Sequence, residues 1–284
     1  MTALLRDSPD AEPIVRRLQF SFDHNVTSDW HPRLPEFAAG ANAISLLMPH
    51  AEPFVISAVR DAVPQIDDEL LVRTCETWAS QEAVHFKAHR SFNRSLAAQS
   101  KVARWLDRLG SRLFHRLRSR NVEFRVAFAA AFELVAFCSA RWAEEGLHTY
   151  FDGADEDVST LFLWHLAEEI EHKGIAHDVL AATPGARRKY PLALVTAFVV
   201  LIGFTIIGGI ALFLTRREAT NPRRWLRLVG WGFSLAFVLL PVLAVSTTRG
   251  FHPRQLVDPP WMKQWLLEYD PVTDTLPVWS QAGA

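Results

Sequence analysis

The sequence has little of what would place it in several large protein classes. Only two cysteines, Cys75 and Cys138, occur in 284 residues, which is too few for a disulfide framework. The formal net charge of −1 gives no global electrostatic attraction to nucleic acid, so we expect no nucleic-acid partner. The opening residues, MTALLRDSPDAEPIVRR, lack the apolar core of a signal peptide. We therefore expect a protein of the reducing cytosol, or of the cytosolic side of a membrane.

Strand signals are also scarce, and the chain shows no internal repeat and no low-complexity segment. Helical periodicity and breaker residues predict helices at 50–64, 68–99, 101–118, 121–150 and 156–182. The predicted organisation is an irregular N-terminal arm at 1–35, a helical bundle at 36–185, an apolar helical hairpin at 186–250 and a tail at 251–284. The predicted fold class is all-α.

Long uncharged runs occur late in the chain. Residues 192–214 carry no charged side chain over 23 positions, and residues 228–247 are uncharged as well. Because about 20 apolar residues cross the core of a bilayer, the two runs predict a membrane-embedded hairpin and a lipid partner. Other interpretations stay open: core helices of a larger bundle, a homodimer interface, or a hairpin that enters one leaflet without crossing it. Five arginines between the runs match five basic residues close outside them, so the positive-inside rule gives no orientation.

Two of the predicted helices carry an inward stripe that ionisable residues interrupt. At steps of three or four, the helix at 68–99 aligns Leu71, Cys75, Trp78, Glu82, His85, His89, Phe92 and Leu96, and the helix at 156–182 aligns Leu161, His165, Glu169, His172, Ala176 and Val179. Buried carboxylates and imidazoles are costly unless they are paired or bind a metal. Glu82-x-x-His85 and Glu169-x-x-His172 therefore each direct a carboxylate and an imidazole into the bundle.

Two further helices each supply one glutamate in an apolar setting. Glu133 lies in VAFAAAFELVAFCSARW, and Glu52 lies in MPHAEPFVISAVRDAV. Bundles that hold two metal ions take Glu-x-x-His from two helices and a single Glu from each of the other two. The sequence thus predicts a ferritin-like four-helix bundle with a dinuclear metal site. Against this, buried salt bridges and core histidines are the alternative interpretation.

Some nearby residues allow two interpretations. Glu52 lies at a predicted helix start, where a carboxylate is also favoured as a cap, and His50 competes with it as a ligand. His165 is either a ligand or a hydrogen-bonded core residue. A third pair, Glu145 and His148, spans a glycine and is expected at the surface.

Hydrogen-bond partners of the ligands are also predictable from spacing. Gln81 and Glu168 stand four residues before His85 and His172, from where each side chain reaches a ligand imidazole on the partner helix and fixes its tautomer. The residues predicted to orient ligands in this way are Gln81, His89, Glu168 and Asp178; for Asp178 a solvated or salt-bridged surface role is an equal alternative. The residues predicted to form the outer polar face are Glu171 and Lys173.

Three motifs carry a resemblance to a known family. NAISLLMPHAEPF, ASQEAVHFKAHRSFN and WHLAEEIEHKGIAHDV resemble the bacterial family of predicted metal-dependent hydrolases, with similarity from VRRLQFSF to about residue 250. The order of the acidic and histidine residues is also similar to that of di-iron arylamine N-oxygenases. That second likeness covers ligand spacing only. It implies as ligands Glu52, Glu82, His85, Glu133, His165, Glu169 and His172.

The donor set indicates the chemistry. Four carboxylates with two or three imidazoles suit iron or manganese, whereas zinc sites usually have fewer carboxylates. We expect a non-haem di-iron oxygenase or oxidase that uses O2 and an electron donor to oxidise an organic, hydrophobic or aromatic substrate. The alternative is a dinuclear hydrolase, with zinc, acting on an ester, amide or phosphate; a third, non-enzymatic alternative is iron storage or a structural membrane protein. We expect the metal site on the cytoplasmic side of a bacterial inner membrane.

Overall fold

The computed structural model describes residues 13–20, 22 and 28–281. Parts of the predicted N-terminal arm, 1–12, 21 and 23–27, and the end of the predicted tail, 282–284, lie outside the described residues. Within the described residues the chain forms helices and loops with no sheet, so the predicted all-α class is confirmed. The helices are α1 (Pro35–Ala62), α2 (Glu69–Gln99), α3 (Lys101–Arg118), α4 (Val122–Glu145), α5 (Leu147–Phe151), α6 (Glu156–His172), α7 (Ile175–Ala182), α8 (Ala186–Phe198), α9 (Phe204–Phe213), α10 (Pro222–Ser246) and α11 (Pro260–Leu267).

Side-chain caps fix where the bundle helices begin. The carboxylate of Asp68 accepts hydrogen bonds from the first backbone N–H groups of α2, and Ser100, Asn121 and Asp155 cap α3, α4 and α6 in the same way. Each cap satisfies a backbone donor that has no partner within its own helix. The predicted starts of these four helices lie within one residue of the observed ones.

Helix α1 differs most from the prediction, because it begins at Pro35 and not near residue 50. A proline inside a helix removes one backbone hydrogen bond and usually marks a break, and Pro49 stands just before the predicted start. The carbonyl of Ser45, four residues before Pro49, accepts a hydrogen bond from Asn93 Nδ2 instead, at 2.7 Å. The expectation that Glu52 lies at a helix start is therefore wrong: it lies well inside α1.

The predicted helix at 156–182 is interrupted at Lys173 and Gly174, between α6 and α7. Lys173 is buried; it donates to Leu256 O at 3.0 Å and pairs with the carboxylate of Asp258. Its prediction as part of the outer polar face is wrong, because the chain after α10 returns and covers it. Gly174 permits this cover, since a Cβ there would lie 2.9 Å from the guanidinium of Arg254.

The helices form three layers. Helices α1 and α4 form the middle layer, α2, α6 and α7 pack on one side of it, and α8, α9 and α10 pack on the other. Phe54 of α1 contacts Phe128 of α4, with ring centroids 5.3 Å apart, and Phe37 near the start of α1 contacts Tyr150 just after α4. These contacts make α1 and α4 antiparallel. The middle layer is apolar on two sides because it is covered on both.

The crossover helix α3 runs beside α1 in the same direction. Its Gly110 lies against His50, and its Phe114 contacts Phe54, with ring centroids 5.4 Å apart. The opposite side of α3 exposes its arginines to solvent.

The two apolar segments, Ala186–Phe213 and Pro222–Ser246, are long and apolar enough to span a membrane by length and composition. A five-residue π-helical turn joins α8 to α9. Gly209 of α9 lies so close to α1 that a Cβ there would be 3.0 Å from Gly40 Cα. At the turn between the segments, Arg224 donates to the buried carboxylate of Glu36 at 2.7 Å. The hairpin is thus packed lengthwise against the bundle.

Candidate metal centre

Four helices bring six ionisable side chains together in the middle of the bundle. Glu52 comes from α1, Glu133 from α4, and the two Glu-x-x-His pairs from α2 and α6; all six residues have 0% exposure. Within this set, one ligand atom from each residue of the two pairs lies within 4.8 Å of the others. Glu133 Oε2 lies 3.7 Å from His172 Nδ1, which joins α4 to the same cluster. The six are Glu52, Glu82, His85, Glu133, Glu169 and His172.

Many polar atoms of this cluster have no hydrogen-bond partner. They are both carboxylate oxygens of Glu52 and Glu133, Oε2 of Glu82 and of Glu169, and Nδ1 of His85. Nδ1 of His172 lies 2.8 Å from Oε1 of Glu82. A buried polar atom without a partner costs free energy, and a buried charge costs more. Native interiors leave few such atoms, so this many in one place indicate a missing positive charge. Four carboxylates balance two divalent cations, and the residues present fit a dinuclear metal centre.

The outer nitrogen of each cluster histidine is held by the opposite helix. His85 Nε2 lies 2.8 Å from Glu168 Oε2, and His172 Nε2 lies 3.1 Å from Gln81 Oε1. Because both partners accept through oxygen, the Nε2 atoms carry the protons, and each Nδ1 presents a lone pair to the cluster. The amide of Gln81 is oriented with its oxygen towards His172, since its Nε2 donates to Ile14 O at 3.0 Å.

Arg16, which the sequence interpretation missed, completes this outer shell. It is 3% exposed; its Nη1 lies 3.0 Å from Glu168 Oε1, and its Nη2 lies 2.9 Å from Glu171 Oε1. Burial opposes ionisation of Glu168, but the hydrogen bond from His85 and the charge of Arg16 outweigh it and lower the pKa of that carboxyl. Glu168 is thus a carboxylate that holds His85. Its link to Arg16 spans more than 150 residues of sequence, and no spacing pattern indicates it.

A directed chain of hydrogen bonds leads from α1 to His165. Asn93 Nδ2 donates to the backbone of Ser45, so Asn93 Oδ1 accepts the Ser45 hydroxyl proton at 2.7 Å. With that proton used, Ser45 Oγ accepts from His89 Nδ1 at 2.8 Å. His89 Nε2 then accepts from His165 Nδ1 at 2.7 Å, since burial lowers the pKa of His89 and keeps it neutral. His165 Nε2 is left bare, 2.8 Å from Glu169 Oε1.

A bare nitrogen facing a carboxylate is repelled unless a cation or proton lies between them. His165 Nε2 also lies 3.6 Å from Glu52 Oε1, and Glu52, His89 and His165 form a second group whose ligand atoms lie within 4.8 Å of one another. This arrangement makes His165 suited to be a ligand at the Glu52 side of the centre. His89 lies one step further out and holds the His165 ring.

Charges within the cluster affect its protonation. Burial raises the pKa of Glu52 well above its usual value, and the neighbouring Glu82 and Glu169 raise it further. The pKa of Glu133 is raised by burial and by the same two neighbours. Burial opposes a charge on His172, but the carboxylate of Glu82 outweighs it and raises the pKa of that imidazole. Without cations, the cluster therefore holds protons that metal ions displace.

The remaining sequence candidates lie elsewhere. Asp178 pairs with His252 at 3.0 Å and with Arg254 at 2.6 Å, which corresponds to the salt-bridged alternative. It does not reach His172, whose Nε2 is held by Gln81. The cause is the interruption between α6 and α7, which breaks the helical register. His50 bonds Asp107 at 2.9 Å and leaves the centre to Glu52.

The third Glu-x-x-His pair is a surface feature, as expected from its glycine. The side chain of His148 is 79% exposed and pairs with Asp152 at 3.1 Å.

Aromatic rings enclose the centre. The ring of Trp164 lies edge-on to His85, with centroids 4.8 Å apart, and Trp78 packs against His172 at 6.2 Å. Both tryptophans have 0% exposure, and the indole N–H of Trp78 has no partner. The polar cluster therefore packs against buried aromatic rings as well as against its polar hydrogen-bond partners.

Comparison with known proteins gives one match. A family model described as "predicted metal-dependent hydrolase" matches residues 14–256. That span begins just before Arg16 and includes every cluster residue. Searches of curated proteins and of solved structures found no match.

Proposed function

The chain belongs to the family of predicted metal-dependent hydrolases, and from this premise we propose that its bundle holds two divalent metal ions and oxidises an organic substrate with O2. The observation that carries the proposal is the convergence of unpartnered carboxylate oxygens and imidazole nitrogens in a fully buried volume. The ligands are the six cluster residues together with His165.

The donor set favours iron, with manganese next. Four carboxylates and three imidazoles are hard and borderline ligands, and the cysteines Cys75 and Cys138 lie outside the set. Zinc in proteins usually takes four ligands with few carboxylates. A pair of ferrous ions held by these residues would supply electrons for the reduction of O2.

The protein contributes orientation and exclusion of water. Gln81 and Glu168 hold the two imidazoles with Nδ1 inward, and the tryptophan rings keep water out. A buried aromatic wall suits a hydrophobic or aromatic substrate. Each further turnover needs electrons from a donor outside this chain.

Hydrolysis of an ester, amide or phosphate is the second candidate, and the description of the family favours it. Two ions would then lower the pKa of a bound water. In this case the metal is zinc or manganese.

Anaerobic reconstitution with ferrous iron tests the proposal. We expect two iron ions per chain by metal analysis, and O2 uptake with a change in the visible spectrum when air is admitted. Glu169→Gln should lose iron, whereas Glu145→Gln, in the surface Glu-x-x-His pair, should keep it. The surface pair thus provides a matched control.

The outcomes separate the candidates. O2 consumption coupled to oxidation of an added aromatic compound supports the oxidase. A zinc-loaded protein that is inert to O2 and hydrolyses a nitrophenyl ester or phosphate replaces it with the hydrolase. Uptake of many irons per chain without an organic product indicates storage.

A further inference from the structure

The outer face of the third layer is a continuous apolar surface, here called the hairpin face. Phe233 and Phe237 of α10 are 74% and 83% exposed. Along both helices, exposed large apolar side chains recur from end to end, among them Val199, Ile206, Leu226, Phe233, Phe237 and Leu240. Single exposed apolar residues are normal, but a patch of this extent marks an interaction surface.

The packing of the hairpin conflicts with a crossing of the bilayer along its helix axes. Leu106 of α3 lies 3.3 Å from the Cβ position of Gly208 in α9. Helix α3 therefore lies beside the hairpin and overlaps it along the hairpin axis. Within two turns of Leu106, α3 exposes Arg108 and Arg112. A bilayer that the hairpin crossed would enclose these arginines in hydrocarbon, which is costly.

We propose that the hairpin face lies flat in one leaflet of an anionic bilayer, with both helix axes in the plane of the membrane. In this orientation the apolar side chains enter the leaflet while α2 and α3 stay in water. The proposal concerns a surface away from the metal centre, and it holds whichever reaction that centre catalyses.

The charges around the hairpin face favour this partner. Residues 186–249 contain nine Lys and Arg and one acidic residue, Glu218. The basic residues are concentrated at the two ends of the hairpin, 187–189 with Arg249 at one end and 216–227 at the other. At the second end Arg216 pairs with Asp29, and Arg224 and Arg227 pair with Glu36, so Arg217 and Arg223 carry most of the charge that faces outward there. Basic residues at the rim of an apolar face attract anionic headgroups.

The same charges disfavour a second copy of the chain as the partner. A two-fold symmetric contact joins the same patch on both copies. Because both ends of the hairpin are basic, either a parallel or an antiparallel contact would bring positive ends together. Glu218, Asp29 and Glu36 compensate the end at 216–227 only in part, since five arginines lie there.

Vesicle binding tests the partner. The full chain should bind vesicles of phosphatidylcholine with phosphatidylglycerol, and bind vesicles of phosphatidylcholine alone more weakly. The double variant Phe233→Glu with Phe237→Glu should partition roughly tenfold or more weakly, since it places two charges in the leaflet. The control Ser80→Glu with Ala98→Glu adds the same charge at exposed positions of α2 and should bind nearly as well as the parent chain.

Depth measurements test the orientation. Spin labels are attached to single cysteines introduced as Leu226→Cys, Phe233→Cys and Leu240→Cys, because the native cysteines are buried and react poorly. Flat binding predicts the same depth for all three labels. A crossing helix predicts that the label at 233 is deepest and that the other two lie about 10 Å shallower, at 1.5 Å per residue.

The proposal is supported by anionic-lipid binding that the Phe233 and Phe237 changes weaken, together with equal label depths. It is overturned if the label at 233 lies deeper in the bilayer than the labels at 226 and 240, which indicates a crossing helix. It is equally overturned if the chain is dimeric by light scattering, ignores vesicles, and becomes monomeric in the Phe233→Glu, Phe237→Glu variant.

Discussion

Arg16 and Glu168 form a buried ion pair, with Nη1 of the arginine 3.0 Å from Oε1 of the glutamate. The other oxygen of Glu168 holds His85 Nε2 at 2.8 Å. A residue near the N-terminus thereby determines which nitrogen of a candidate ligand faces the metal centre. Groups that orient ligands in this way influence metal affinity nearly as strongly as the ligands do.

Replacing Arg16 should weaken metal binding without touching a ligand. We expect Arg16→Gln to lower the affinity for ferrous iron by about 10- to 100-fold, because Glu168 becomes an unpaired buried charge and no longer holds His85 firmly. Competition with a chelator measures the change. Arg17→Gln, at the exposed neighbouring arginine, is the control. Equal affinities of the two variants would contradict the prediction.

Replacing Glu133 should separate stability from metal binding. In the metal-free protein its carboxyl is buried beside other carboxylates and its oxygens lack partners. Glu133→Gln removes that potential charge, so we expect the metal-free variant to be about 1–2 kcal/mol more stable to urea. The same variant should lose the stabilisation that iron gives the parent protein. A metal-free variant that is less stable than the parent would be evidence against a cluster built for cations.

The part of the site that follows helical spacing was accessible from sequence. The stripes of α2 and α6 place Glu82, His85, Glu169 and His172 on inward faces, and the structure brings these four side chains together. The fold class followed from the same periodicity. Helical spacing does not predict contacts between segments that are distant in sequence, and the contact of Arg16 with Glu168 is the clearest instance.

The wrong predictions share one physical cause, which is tertiary cover that overrides local signals. Helix α1 carries a proline in its middle, Pro49, of a kind that usually ends a helix, and Asn93 supplies the missing hydrogen bond from another helix. Lys173 looked solvated because its partner, Asp258, lies 85 residues away. The side of α1 and α4 that the hairpin covers could not be inferred from either helix alone.

His165 should determine how many ions are bound. The unprotonated Nε2 of His165 faces Glu52 and Glu169. The row of hydrogen bonds through His89 fixes that orientation of the ring. We therefore expect His165→Ala to weaken the binding of one of the two ions, so that a titration with ferrous iron saturates near one ion per chain. His50→Ala, at the imidazole that bonds Asp107, should leave two. Two tightly held ions in the His165 variant would exclude it as a ligand.

His177 should make the protein sensitive to acid. It is 2% exposed, neither ring nitrogen has a partner, and burial, with the nearby His252 and Arg187, lowers its pKa to about 3. Because the unfolded chain binds this proton near pH 6.5 and the folded chain does not, stability is complete above that pH and falls as the pH decreases towards 3. From about pH 6.5 to pH 5 the loss is roughly 1.5 kcal/mol.

The variant His177→Leu removes this contribution. Between pH 6.5 and pH 5, the free energy of unfolding of the variant should fall less than that of the parent. The difference should equal the loss that we attribute to His177, and urea titrations at the two pH values measure it. His115→Gln, at an exposed histidine of α3, should keep the parent's pH dependence. Parallel curves for parent and His177→Leu would show that this imidazole takes up its proton in the folded state.

Gly209 should be essential for packing the hairpin against α1. A Cβ at this position would lie 3.0 Å from Gly40 Cα, and backbone cannot move aside as a flexible side chain can. We therefore expect Gly209→Ala to destabilise the protein by about 1–3 kcal/mol through overpacking. Gly230, in α10, has nothing within 4 Å of its Cβ position, so Gly230→Ala should be neutral or stabilising by up to about 1 kcal/mol through helix propensity. Urea unfolding in detergent, with iron absent, compares the two. If Gly209→Ala is as stable as Gly230→Ala, then α9 is not held against α1 at this distance, and the third layer is looser than its contacts indicate.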